Sequence, residues 1–384
     1  MKGQFPIAHF REIATPFYYY DTDVLRETLR LARAEADRYG FHLHYAVKAN
    51  ANSRILSIIR ENGFGADCVS GGEIAAAIEA GFPAKEIVYA GVGKADWEIE
   101  LALKNDIFSF NVESIPELEV INEIADRMGK VATVALRINP EVDAHTHHYI
   151  TTGLKENKFG INLSQLDEVL DQFPRLKAVK LMGLHFHIGS QLTDLSPYQG
   201  LCARINDLQD QLEKRNISIQ HINVGGGLGI DYQHPNRAPH SNFKEYFSIF
   251  NRLLKLRPEQ EVHFEPGRSI VGQCGSLITK VLYVKKGSAK QFAIVDGSMT
   301  ELIRPALYQA YHKIENITSE AEVDTYDVVG PVCESSDCFG KQVDLNATSR
   351  GDLLALRSAG AYGEIMASQY NRRALPKAYF SDQL

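Results

Sequence analysis

Short apolar runs alternate with longer amphipathic stretches through the first two thirds of the chain. The runs are "HLHYAVKAN", "GADCVS", "EIVYAGVG", "DIFSFNVES", "VATVALRINP", "LMGLHFHIGS", "IQHINVGGG" and "EVHFEPGR", eight between residues 42 and 268. Each is short and bounded by turn formers, as strands are. The stretches between them carry helical periodicity. In "TDVLRETLRLARAEADRYG", Leu25, Leu29, Ala32, Ala36 and Tyr39 share one face, and Gly40 is placed to stop the helix. In "SGGEIAAAIEAG", Ser70 and Glu73 have capping-box spacing and Gly81 can end the helix. Strands alternating with helices form βα units and a parallel sheet. Eight of them predict an α/β fold, a closed (β/α)8 TIM-type barrel. An open, doubly wound sheet is the competing architecture.

The texture changes after residue 268. "SLITKVLYVKKG", "KQFAIVDG", "DTYDVVGPVCES" and "GDLLALRSAGAYG" are strand-like, with few helical runs between them. The expected organisation is a barrel over 18–268 and a second, C-terminal all-β domain over 269–384. The N-terminal 1–17, which does not fit the barrel repeat, is expected to join that β domain.

Composition narrows the function classes. The net charge is −7 over 384 residues, with no block of like charges. That excludes a dense basic grip on nucleic acid or an anionic membrane. No apolar stretch approaches membrane-spanning length, and "MKGQFPIAHFREI" lacks a secretory pattern. Five cysteines, scattered and without C-x-x-C, fit a reduced, cytoplasmic protein.

Barrel enzymes work at the C-terminal ends of their strands. Here those ends carry Lys48, Asp67, Arg137, His187, Gly225 to Gly227, Glu265 and Arg268. A lysine there is either a solvated surface group or a desolvated nucleophile. "NVGGGLG" is not a dinucleotide fingerprint, but its bare N–H groups can cradle one phosphate; otherwise it is a tight turn. "LHFHIGS" sets His185 and His187 on one strand face, either hydrogen-bonded or with one imidazole flat on a planar ligand. No partner at metal-ligand spacing accompanies them, and no metal is expected. "DAHTHHY", Asp143 to Tyr149, reads as a solvated loop that could close over the site. In "HFEPGRS", Glu265 and Arg268 are either a surface pair or holders of a ring nitrogen and an anion. A lysine, a phosphate cradle, a stacking imidazole and a carboxylate together suggest pyridoxal 5'-phosphate.

These motifs resemble the barrel-plus-β-domain family of pyridoxal-phosphate enzymes, which includes alanine racemase and the amino-acid decarboxylases. "DGSMTELIRPALYQAYH", "GPVCESSDCFGK" and "GAYGEIMASQYN" narrow the resemblance to the diaminopimelate-decarboxylating branch, in the same order from about residue 14 onward. The resemblance implies that Lys48 holds the cofactor, His187 stacks on its ring and Glu265 takes its pyridine nitrogen. Ser190, Gly225, Gly226, Gly227, the backbone of the turn that includes Gly267 and Arg268, and Tyr362 would approach the phosphate. Asp67 and Arg137 would lie near Lys48. Arg268, Arg304, Tyr308 and Tyr362 would grip the far end of an amino-acid substrate, and Glu334 its distal ammonium. Cys333 would donate a proton. Cys333 and Glu334 would serve the other subunit's site, implying a homodimer with shared active sites. Ser336 stands where many members carry glycine. The expected reaction is conversion of meso-2,6-diaminopimelate to L-lysine and CO2. Alternatives are a polyamine-branch decarboxylase such as a carboxynorspermidine type, a silent cofactor-binding homologue, or a racemase. Glu265 suits a racemase less than an arginine would.

Overall fold

The structure, a computed structural model, describes residues 4–142 and 158–384. The "DAHTHHY" segment lies outside the described residues. By compactness the chain divides into two interleaved units: Leu29–Gly229 with Asn242–Gly267, and Met1–Thr28 with Ile230–Ser241 and Arg268–Leu384.

In chain order, β1 (Phe17–Tyr20) belongs to the second of these. The first unit carries β2 (His42–Ala46), β3 (Gly65–Cys68), β4 (Ile87–Tyr89), β5 (Ser109–Val112) and β6 (Ala132–Asn139). There follow β7 (Ile161–Asn162), β8 (Val179–His185), β9 (His221–Asn223) and β10 (Glu261–Phe264). Every pairing among them is parallel. The order β5-β4-β3-β2-β10-β9-β8-β6 closes through β5–β6, and short β7 adds to β6. The expected (β/α)8 barrel is therefore present, built from the eight runs named above.

Strand alternation sorts the side chains. In β10, Phe264 faces outward onto the helix Phe243–Leu253, where Tyr246, Phe247 and Phe250 stack edgewise at 4.9–5.6 Å. Glu261 and His263 take the opposite, inner face, and Glu265 continues that series. The helix Gly71–Glu79 begins where Ser70 Oγ accepts from the Glu73 N–H. Glu73 reaches back one residue further than a capping box requires and accepts from the Val69 N–H at 2.7 Å. Gly81, at φ +83°, ends it as expected.

The second unit is mostly β. It contains β11 (Gly275–Lys286), β12 (Gln291–Val295), β13 (Ile314–Asn316), β14 (Val323–Val329), β15 (Cys338–Asn346), β16 (Leu353–Leu356) and β17 (Lys377–Phe380). Their order is β13-β16-β11-β12-β14-β15, with β1 between β11 and β17. Phe10, Phe17, Tyr19, Ile278, Leu353 and Ala355 form a buried cluster that ties the N-terminal segment to this sheet. Short helices such as Ile7–Phe10 and Arg304–Tyr308 qualify the all-β expectation. Among the described residues, no helix is long and apolar enough to cross a membrane.

Candidate active site

Glu265 lies at the end of β10, buried among the inner faces of its neighbours. Its Oε2 accepts from His185 Nε2 at 2.9 Å. Its Oε1 accepts from Asn223 Nδ2 at 2.7 Å and from Asn111 Nδ2 at 3.3 Å. Burial alone would raise its pKa, but the His185 contact and the Lys48 charge hold it well below the carboxylate range. Glu265 is thus fixed as an anion with acceptor capacity to spare.

A single 3-10 turn, Val47–Ala49, follows β2 and carries Lys48. Tyr45 Oη donates to the Asn50 carbonyl at 2.9 Å and clamps that turn. Gly267 packs against it; a Cβ there would sit 3.0 Å from the Ala46 methyl. The Lys48 side chain keeps 40% of its exposure, and its Nζ is 3.4 Å from Asp67 Oδ2. Asp67 is fully buried, and its Oδ1 has no hydrogen-bond partner. Burial first, and then the Glu265 charge, push its pKa up to about 6; Lys48 opposes both. Two nearby carboxyls therefore divide the roles: Glu265 stays ionised and Asp67 retains a proton more easily.

His187 follows β8. Burial, then the charges of Arg137 and Lys48, drive its pKa well down, leaving a neutral imidazole. Arg137 is held by Glu113, Nη1 to Oε1 at 3.1 Å, in a pair that is nearly dry. Glu113 also accepts from the Gly91 and Gly160 N–H groups at 3.0 and 2.9 Å.

The glycine run turns where no side chain fits. A Cβ on Gly225 would lie 2.2 Å from the Phe186 carbonyl oxygen, and one on Gly226 2.2 Å from that of Glu265. Gly225 and Gly227 have φ of +73° and +105°. The Gly225 N–H donates to Asn223 Oδ1 at 2.9 Å, so Asn223 braces both the run and Glu265.

Ser190 follows β8 in the barrel unit, whereas the other predicted residues, Arg268, Arg304, Tyr308, Cys333, Glu334 and Tyr362, belong to the β unit. Arg268 and Arg304 converge on one hydroxyl, donating to Tyr232 Oη at 2.6 and 2.9 Å. His312 Nδ1 faces the Arg357 carbonyl at 2.9 Å and so carries the proton; its Nε2 is left to accept from Arg304 at 3.0 Å. Arg268 also lies 4.9 Å over the Tyr362 ring. Burial would raise the Tyr232 pKa, but the two guanidiniums bring it below its ordinary value. Arg304 makes no ion pair with a carboxylate among the described residues. Tyr308 closes the same short helix that Arg304 opens. Cys333 and Glu334 are apart from this cluster, exposed on the turn after β14. Asp337 shapes that turn by accepting from the Val332 and Met299 N–H groups, and Glu334 accepts from Tyr370 Oη at 2.7 Å.

Three comparisons with known proteins agree. Residues 23–272 match the pyridoxal-dependent decarboxylase family, pyridoxal binding domain. A diaminopimelate decarboxylase of Bacteroides thetaiotaomicron is 66% identical over 385 residues, covering 100% of both chains. One from Neisseria meningitidis serogroup B is 45% identical over 94% of this chain and 86% of its own. The crystal structure of the Helicobacter pylori diaminopimelate decarboxylase complexed with L-lysine superposes with a TM-score of 0.91 at 42% identity, covering 97% of this chain and 93% of that one. This chain belongs to the diaminopimelate decarboxylase family.

Members of that family use pyridoxal phosphate, and the barrel residues fit it. Lys48 offers a part-exposed amine, His187 a neutral flat ring and Glu265 a fixed anion for a protonated ring nitrogen. Asp67 Oδ1, Asn111 Oδ1 and His185 Nδ1 are buried without partners, so the mouth has polar capacity that the chain itself leaves unused. Sequence reasoning missed Asn111, Glu113, Asn223, Tyr232 and His312. Asn223 stands two residues before Gly225 on the same strand face, which is the one local signal that could have identified it.

Proposed function

We propose that this diaminopimelate decarboxylase family member removes one carboxyl group from meso-2,6-diaminopimelate, giving L-lysine and CO2. The 66% identity across both full chains carries the reading. When bound, pyridoxal phosphate supplies an electron sink for the pair left by the departing CO2.

The chain's own residues do the rest. Lys48 holds the cofactor covalently, and Asp67 and Arg137 shape the charge around it. Glu265 keeps the ring nitrogen protonated, which its three donors allow by holding it ionised. His187 would offer its neutral, flat imidazole to the cofactor ring. Ser190, the Gly225 to Gly227 run and Gly267 approach the phosphate with small groups and backbone, together with Tyr362. Arg268 and Arg304, with Tyr308 and Tyr362, take the carboxylate at the substrate's far end. Glu334 takes the ammonium beside it, and Cys333 returns a proton to the reacting carbon at the D centre. Ornithine lacks the distal carboxylate, so it would leave buried guanidinium charge poorly matched and should be rejected.

Cys333 and Glu334 are exposed on their own chain. Solvent-facing groups with a site role suit a second copy's site, so the working unit is a homodimer in the cytoplasm, without nucleic acid or membrane partners. The test is CO2 release from meso-diaminopimelate compared with ornithine, arginine and carboxynorspermidine; equal or faster turnover of any of the other three refutes the substrate assignment. Mixing Lys48→Ala with Cys333→Ala chains should restore part of the activity. No recovery after verified subunit exchange refutes the shared site.

A further inference from the structure

The end of the barrel opposite Lys48 is filled with imidazoles. His44, His221 and His263 are buried there on inner faces, with Phe108 against them. His42 and Glu261 stand on the same inner faces at the exposed rim. The register pairs His263 with His42 across β10 and β2, and Glu261 precedes His263 by two residues. Ligand atoms of His42, Glu261 and His263 all lie within 4.8 Å of one another.

A chain of hydrogen bonds fixes which atom of His263 carries a lone pair. His44 Nδ1 lies 3.0 Å from the Glu86 carbonyl oxygen, which can only accept, so the proton is on Nδ1. Neutral His44 then has a bare Nε2, 2.8 Å from His263 Nδ1, which must donate to it. Neutral His263 is thereby left with a bare Nε2. That atom is buried, has no hydrogen-bond partner, and lies 3.4 Å from Glu261 Oε2. Two lone-pair atoms face each other, at a distance beyond the usual ~2.7–3.2 Å of an N–H···O bond. It is, however, the edge of a tetrahedron about an ion with arms of ~2.0–2.1 Å. Gly65 supports the arrangement: a Cβ there would lie 2.6 Å from His44 Nδ1 and 2.4 Å from the Glu86 oxygen.

The geometry points to a divalent transition-metal site at this end of the barrel, with His42, Glu261 and His263 as ligands, clipping the last barrel strand to the first. Two imidazoles and one carboxylate suit zinc, cobalt or nickel rather than magnesium or calcium. His42 supplies the adjustable ligand: its ring stacks on His263 at 4.6 Å and is exposed, so it can rotate toward the ion. The pairs His263–His42 and Phe264–Leu43 join the first and last strands of the barrel, so an ion here would resist its opening. Binding to the folded chain alone raises the melting temperature with metal concentration.

The test uses the pyridoxal-phosphate-loaded protein, stripped of metal by a chelator and titrated with Co²⁺ and then Zn²⁺. One Co²⁺ per chain should bind, with the intense visible absorption of a low-symmetry, nitrogen- and oxygen-ligated ion. Zn²⁺ should displace it, and Tm should rise with Zn²⁺ concentration. His42→Ala and Glu261→Gln, both at exposed positions, should each lose the absorption and the Tm rise while their metal-free Tm stays near that of the parent. A His145→Ala/His147→Ala/His148→Ala variant should retain both signals. Absence of saturable binding, or undiminished binding in the His42→Ala/Glu261→Gln double variant, overturns the proposal. So does a thiolate-to-cobalt charge-transfer band.

Discussion

Asp67→Asn should make the cofactor-free protein more stable, increasingly so as the pH rises. Asp67 is fully buried, one carboxylate oxygen has no partner, and the other reaches only a distant lysine amine. Glu265 takes three side-chain donors, so of the two carboxyls Asp67 is the one for which ionisation is costly. Its pKa rises from 3.8 to about 6 on folding. Below pH 4 the folded and unfolded chains both carry the proton and the group costs nothing. Between about pH 4 and 6 the unfolded chain releases it and the folded chain does not, so stability falls as pH rises. Two pKa units at 1.36 kcal/mol each give about 3 kcal/mol, reached in full above pH 6. Asparagine keeps the shape and removes the ionisation, although it also gives up the charge contact with Lys48, so the gain is at most about 3 kcal/mol. The assay is urea unfolding of both proteins from pH 4 to 8, with infrared difference spectra at pH 5 to find the protonated carboxyl band that the variant lacks. A stability difference that is flat with pH, or that grows toward acid, refutes the assignment of the proton to Asp67.

Other perturbations test other parts of the site. Glu113→Ala leaves Arg137 buried and unpaired and strips two backbone N–H groups of their acceptor, so it should cost ~3–5 kcal/mol in urea unfolding. A loss under 1 kcal/mol would show that Arg137 finds water or another partner. Arg304→Ala should lower kcat/KM for diaminopimelate by roughly ten- to a hundred-fold, the worth of one charge-assisted hydrogen bond, with cofactor absorbance unchanged; unchanged kinetics would remove Arg304 from substrate binding. Gly226→Ala forces a methyl to within 2.2 Å of the Glu265 carbonyl oxygen, and should lower both Tm and cofactor affinity, read by thermal melts and absorbance titration. A neutral outcome would mean that the run yields more easily than its packing implies. Lys48→Ala should abolish turnover, and wild-type rates would refute its role.

The barrel was legible because its strands are short apolar runs separated by helical periods, and that pattern survives any choice of polar residues at the strand ends. The second unit was only partly legible. β15, "CFGKQVDLN", is largely polar and half-exposed, so its membership in the sheet comes from pairing with β14 rather than from its own composition. The site divides in the same way. Lys48, Glu265 and the glycines stood out because each interrupts an apolar context at a strand end. Asn111 and Asn223 did not, because an asparagine in a short strand reads as an approaching turn; their convergence on Glu265 depends on closure of the barrel. Glu113 reads as an ordinary acid ahead of a helix, and its pairing with Arg137 crosses to the next strand. Inner-face alternation links these cases. β9 carries His221, Asn223 and then Gly225; β10 carries Glu261, His263 and then Glu265; β8 runs Gly183, His185 and then His187. Reading every second residue back from Gly225 therefore gives Asn223, which braces it, and then His221 of the imidazole layer; the same step back from His187 gives His185, a holder of Glu265, and from Glu265 it gives His263. Those inner polar residues are hidden in a linear reading because the outward residues between them, Ile222, Val262 and Leu184, make the runs look apolar.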